Sequence, residues 1–205
     1  MSRDLYEILK KFEYDSVETQ LALQCSPLLI GLKISNLLII ESSKVALVKQ
    51  LLNDSNIYYF TLISKNNKTT LLLYRKNMLI NYVCQDFIID FFNQMGYELE
   101  TNSINIKQLL TRIKTRYQMY TDGKCGFPHE MGLILGYPIE DVIGFIENEG
   151  KNYLCNGYWK VYHNAPAKQR VFDNYKKATE TIIKLVSSGV SVRKCIDISL
   201  LYTVN

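Results

Sequence analysis

An imidazole next to a carboxylate is a pairing that can move a proton at neutral pH, and this chain has one, His129-Glu130. The pair follows Pro128 and precedes an apolar run, so both side chains fall in the first turn of a short helix. There the backbone N–H groups are unpaired and the positive end of the helix dipole points. Two readings fit. Glu130 can be a first-turn acid that satisfies those donors, with His129 holding the turn by hydrogen bonding. Alternatively, His129 acts as general base or ligand with Glu130 as its partner. The second histidine of the zinc-protease pattern is missing. Cys25 adds a thiol; with His129 as base and Asn156 orienting the ring it would make a nucleophilic site, and otherwise it is a small buried apolar residue within LQCSPLLIG. Cys125, His129 and Cys155, with Cys25 or His163 as a fourth, would suit a soft metal. Structural zinc sites use paired short spacings, though, and only Cys125 and His129 are close, so no metal is expected.

Lys33 is the single charge in CSPLLIGLKISNLLII. A lysine there must snorkel, pair with a carboxylate such as Glu130, or serve a ligand. The catalytic candidates are therefore His129, Glu130 and Cys25, and the ligand-binding candidates are Lys33, Phe127, Tyr137 and Trp159. The apolar residues around His129 should hold its helix start rigidly at the wall of a pocket, with Lys33 opposite if the segment from Cys25 lies there.

The elements that must position these residues are written most clearly between Gly126 and Gly150. Those 25 residues hold five of the chain's ten glycines and two of its four prolines. Pro128 fits a first helical turn, Gly136 the position just past a helix end, and Pro138 a restart with Glu140 and Asp141 in the first turn. Two short helices joined by a Gly-Tyr-Pro turn result. Their spacing is like that of a DNA-reading helix pair, but the second helix carries Glu140, Asp141, Glu147 and Glu149 with no cation, which would repel phosphates. Those acids suit a divalent cation, a basic partner or a solvated face. Next, KNYLC and YWKVY flank Asn156-Gly157, a strong hairpin signal, so residues 151 to 162 should form a two-stranded hairpin turning there, with Lys160 pointing opposite to Trp159.

Elsewhere the periodicity predicts a helix over residues 4 to 12, and a capping box at Asp15 and Glu18 opens a second helix through Leu23. Extended or irregular structure is expected from Cys25 to Ile40, then a helix over 44 to 52 and a hairpin turning at residues 65 to 68. Further helices should run from Asn77 to about Met95, from Ser103 through a basic stretch with Lys107, Arg112, Lys114 and Arg116, and from Asn164 to about Ser187. Alternation of Ile196, Ile198, Leu200 and Tyr202 suggests a closing strand. These elements make an α+β single domain over residues 1 to 205, a small mixed or antiparallel sheet with hairpins covered by six to eight helices.

The bulk numbers restrict the function class. A composition 47% apolar and 21% charged belongs to a folded protein, and a net charge of +4 without a clustered basic face does not call for nucleic acid. No apolar run reaches the length of a membrane span, and the start reads as an amphipathic helix and not a signal peptide, so a cytoplasmic location is expected. Five scattered cysteines fit reduced thiols.

The string FPHEMGLILGYPIEDVIGFIENEGKN, followed by GYWKVY, resembles the signature of an uncharacterised bacterial family of about this length, a domain of unknown function. The resemblance extends to CSPLLIGLKISNL, where members show a Cys-Ala-Pro segment and this chain has Ser26. Members often carry a cysteine in the last helix after a tyrosine and basic residues; here Tyr175, Lys176 and Lys177 precede Ala178. The family's setting implies a link to redox or iron metabolism. Together these readings point to a small-ligand-binding or adaptor-like protein with its site at Phe127 to Glu130, its partner a small molecule or a protein. The alternative is an enzyme with His129 and Glu130 as acid-base pair and Cys25 as nucleophile. The sequence names no cofactor and no oligomeric state.

Overall fold

Where β-branched and leucine-rich runs meet turn residues, the chain forms strands, and where apolar residues recur at three and four it forms helices. In the computed structural model, which describes residues 7, 8 and 10, 13 to 100 and 104 to 202, these elements fall into two compact units. The first comprises Met1–Arg75 and Asp173–Asn205, and the second Lys76–Phe172. The fold class is mixed helix and strand, with one small antiparallel sheet of three strands.

In the first unit, β1 (Ser35–Glu41), β2 (Ile57–Lys65) and β3 (Lys68–Arg75) pair in the order β1-β3-β2. The β2–β3 hairpin closes at Lys65 opposite Lys68, as the sequence implied. Asn66 and Asn67 between them sit at φ 51° and 58°, the left-handed conformation a two-residue hairpin turn requires. β3 is central and buried on both faces, which accounts for its unbroken Leu71-Leu72-Leu73.

Helix α1 (Val17–Leu29) packs on this sheet and corrects the expectation of extended structure beyond Cys25, since it runs through Cys25 and Pro27. The reason is tertiary. The guanidinium of Arg75 donates to the carbonyls of Leu28 and Leu29 at 3.0 and 2.8 Å, satisfying helix-end acceptors from 47 and 46 residues away. Helix α2 (Val45–Leu52) follows β1 through a short 3₁₀ turn.

In the second unit the single helix expected from Asn77 to Met95 is two, α3 (Lys76–Val83) and α4 (Asp86–Gln94), because Gln85 takes an extended conformation between them. Gly96 ends α4 at φ 80°. Helix α5 (Ile106–Thr121) is capped by Asn105, whose side chain accepts from Gln108 N at 3.1 Å; Ser103, the expected cap, lies outside the described residues, as does most of the helix expected over 4 to 12. Then come α6 (Glu130–Ile134), α7 (Ile139–Glu147), the short strands β4 (Cys155–Asn156) and β5 (Lys160–Val161), and α8 (Ala165–Ser187), of which only the part up to Phe172 belongs to this unit.

The chain closes with α9 (Val192–Tyr202), a helix in place of the expected strand. Val192, Cys195 and Ile196 share one face and enter the core with α1, β1 and β3, and Glu18 accepts from the first N–H at Val192.

Candidate functional site

The second unit builds one densely aromatic site from the residues between Phe127 and Phe172. Pro128 and His129 turn the chain into α6 with carbonyl acceptors for Met131 N and Gly132 N, both at 2.9 Å. Gly136, at φ 75°, ends α6, and Pro138 precedes α7, as the punctuation predicted. The two helices pack closely because Gly132 has no side chain: a Cβ there would meet Val142 Cγ2 at 3.0 Å and Tyr137 Cδ2 at 3.4 Å. α7 in turn accepts Tyr162 against Gly144, where a Cβ would lie 2.6 Å from the tyrosine Cβ.

Asp141 ties this helix pair to the following segment. Its side chain is buried, one oxygen accepts from Trp159 Nε1 at 2.7 Å, and the other accepts from Tyr162 N and His163 N at 2.8 and 3.0 Å. Those bonds help explain a difference from the expected hairpin. A hairpin forms within residues 151 to 162, but Asn156 pairs with Lys160, so the turn is Gly157-Tyr158-Trp159 and not Asn156-Gly157. Trp159 is thus a turn residue drawn inward by Asp141. Gly157 permits this, since a Cβ there would meet the Phe172 ring at 2.4 Å.

A cavity of about 210 Å³ opens among these elements, bordered by Phe127, His129, Tyr137, Phe145, Trp159 and Lys160 together with Gly132, Leu135, Asp141 and Val142. Tyr137 stacks on Trp159 at 5.1 Å with 28° between the planes, and Phe172 meets Trp159 edge-on at 4.6 Å. The imidazole of His129 lies between Phe127 and Phe145, at 5.9 and 5.6 Å, and makes no hydrogen bond to another described residue. Lys160 and Trp159 were expected on opposite faces of a strand; both border the cavity, because the turn ends at Trp159, one residue before the lysine. The Lys160 ammonium donates to Gly150 O at 2.7 Å and rests over the rings of Tyr153 and Phe145, at 5.1 and 5.6 Å.

Glu130 points away from this opening. It is wholly buried, accepts from Tyr97 OH at 2.7 Å, and lies 2.5 Å from Arg116 Nε without the alignment of a hydrogen bond. No hydrogen bond joins it to His129. Burial and the carboxylate of Glu130 push the Tyr97 phenol far up, so it remains a donor. His129 is held below its ordinary value, chiefly by burial; the Glu130 charge opposes that shift and Arg116 adds to it. At neutral pH the imidazole is uncharged, with one donor and one acceptor nitrogen.

Cys25 and Lys33 belong to the first unit and do not border the cavity. They share Asn36, whose amide oxygen accepts from Lys33 Nζ at 2.7 Å and whose nitrogen lies 3.6 Å from Cys25 Sγ. Burial pushes the Cys25 thiol up to about 12 and Lys33 down to about 8. All five cysteines are free, and among the described residues no three His, Cys, Asp or Glu side chains are grouped to hold a metal. No helix of the described residues is long and apolar enough to cross a membrane.

Sequence reasoning thus found Phe127, His129, Tyr137 and Trp159, and missed Asp141, Phe145 and Lys160 as cavity residues. Helical spacing from Asp141 to Phe145 carried a usable signal, since residues four apart share a helix face. No curated protein and no solved structure matches the chain. The segment that builds the cavity lies inside a longer match, over residues 21–196, and on that match the chain belongs to the family described as a protein of unknown function, DUF3793.

Proposed function

We propose that this protein binds a small molecule in the aromatic cavity of its second unit, with His129 as the polar group that orients the ligand. The observation that carries this reading is the arrangement of the family-like signature: its glycines, prolines and Asp141 all serve to bring four aromatic side chains and one unbonded imidazole around a single opening. A mostly apolar recess with few convergent polar groups is the usual form of a small-molecule site.

Binding is favoured over covalent chemistry at Cys25 by the state of that thiol. A nucleophilic cysteine needs its thiolate near neutral pH, and burial moves Cys25 the other way. Glu130, engaged by Tyr97 and Arg116, acts on His129 as a nearby charge and not as a proton relay.

The test is a titration of ¹⁵N-labelled protein with benzamide, a neutral single ring, following the indole N–H of Trp159, the chain's one tryptophan. The expected result is a saturable shift of that resonance, weakened several-fold in His129→Ala. A resonance that stays fixed up to the solubility limit of benzamide sinks the reading.

A further inference from the structure

Resting on that reading, we propose that the ligand is a single-ring aromatic carboxylate, its ring taken by the aromatic walls and its carboxylate by Lys160 and His129. Size comes first. A cavity of about 150 Å³ is filled by benzene, so about 210 Å³ accepts one ring with a short substituent and is small for a dinucleotide or a tricyclic cofactor. The walls select a flat ligand: the stacked pair Tyr137 and Trp159 and the ring of Phe145 present π-faces and edges that pair with another ring in stacked or edge-on geometry.

Charge decides the substituent. Four titratable side chains border the cavity, His129, Tyr137, Asp141 and Lys160, and burial pushes the Tyr137 phenol up, so it stays uncharged. Asp141 is saturated, with three N–H donors on its two oxygens, and is 2% exposed, so it has little acceptor capacity left for a ligand donor. Lys160 is the reverse case. It has three N–H donors, spends one on Gly150 O, and has no carboxylate partner among the described residues; its remaining donors face aromatic rings. Neutral His129 offers a second donor. The site therefore has donors to spare and few acceptors, which fits a ligand that brings acceptor oxygens. A cationic ligand is disfavoured because the Tyr153 and Phe145 rings already hold the Lys160 ammonium, and a second cation would sit against it.

The experiment compares benzoate, benzamide and benzylamine, which share a ring and differ in charge, by calorimetric titration at low salt. Benzoate should bind about tenfold more tightly than benzamide, the gain of one charge-assisted hydrogen bond, and benzylamine most weakly. Lys160→Met should remove the preference of benzoate over benzamide, and Lys160→Arg should retain it. Benzamide binding as well as benzoate, or a preference untouched in a folded Lys160→Met, overturns the carboxylate assignment while leaving the cavity a small-molecule site. Absence of binding by all three overturns the cavity reading as well.

Discussion

Trp159 donates its indole N–H to Asp141 at 2.7 Å, and both residues border the cavity. The other oxygen of Asp141 holds the backbone N–H groups of Tyr162 and His163, so one carboxylate on α7 fixes both the turn that carries Trp159 and the segment leading into α8. Asp141→Ala would leave those donors buried without an acceptor. The expected cost is about 3 kcal/mol in urea unfolding, with a red-shifted Trp159 emission. A stability equal to the parent's would remove Asp141 from its organising role.

The glycines between Gly126 and Gly150 should divide by what surrounds them. Gly144→Ala places a methyl 2.6 Å from Tyr162 Cβ and should destabilise the protein by roughly 1–3 kcal/mol. Gly126→Ala meets nothing within 4 Å and should lie within about 0.5 kcal/mol of the parent. Equal thermal midpoints for the two variants would contradict the packing described for α7.

How far the sequence foretold this follows the range of the interactions. Local chemistry was legible: the Asn66-Asn67 turn, Gly136 after α6 and the long α8 all rest on residues adjacent to the feature they determine. Long-range chemistry was not. Pro27 argued against a helix that Arg75 completes from 46 to 47 residues away, and Asn156-Gly157 argued for a turn that Asp141 moves toward Trp159. At the site, aromatic residues announced themselves by type, while Lys160 was set aside on a strand periodicity that the turn interrupts. Grouping Cys25 and Lys33 with His129 rested on residue type alone; both meet Asn36 within the first unit.

His129 should titrate below the unfolded value near 6.5, because burial penalises the imidazolium. Since the folded value is the lower one, the contribution to stability is present above the unfolded value and is lost as pH falls through the folded one. Glu130→Gln should lower the value further and Arg116→Met should raise it, which a proton NMR titration of the imidazole resolves. Shifts in the opposite directions would mean that other charges control this ring.

Lys33 gives a separate pH signature in the first unit. Its folded value, about 8, lies below the ordinary 10.5, so the unfolded chain holds the extra proton between those limits and stability rises with pH across them. Relative to Lys33→Met, the parent should gain up to about 3 kcal/mol over that window. The Cys25 thiol, pushed up to about 12, opposes this above its ordinary value of 9.0, but it does so in both proteins. A parent-minus-variant difference that is flat between pH 8 and 10.5 would show that Lys33 is not buried as described.

The most direct measurement is a crystal structure of the protein soaked with benzoate. The expected density places the ring beside Tyr137, Trp159 and Phe145, with a carboxylate oxygen within hydrogen-bond distance of Lys160 Nζ, about 3 Å. Benzoate bound elsewhere on the surface, with the space beside Trp159 closed by protein side chains, would contradict the account.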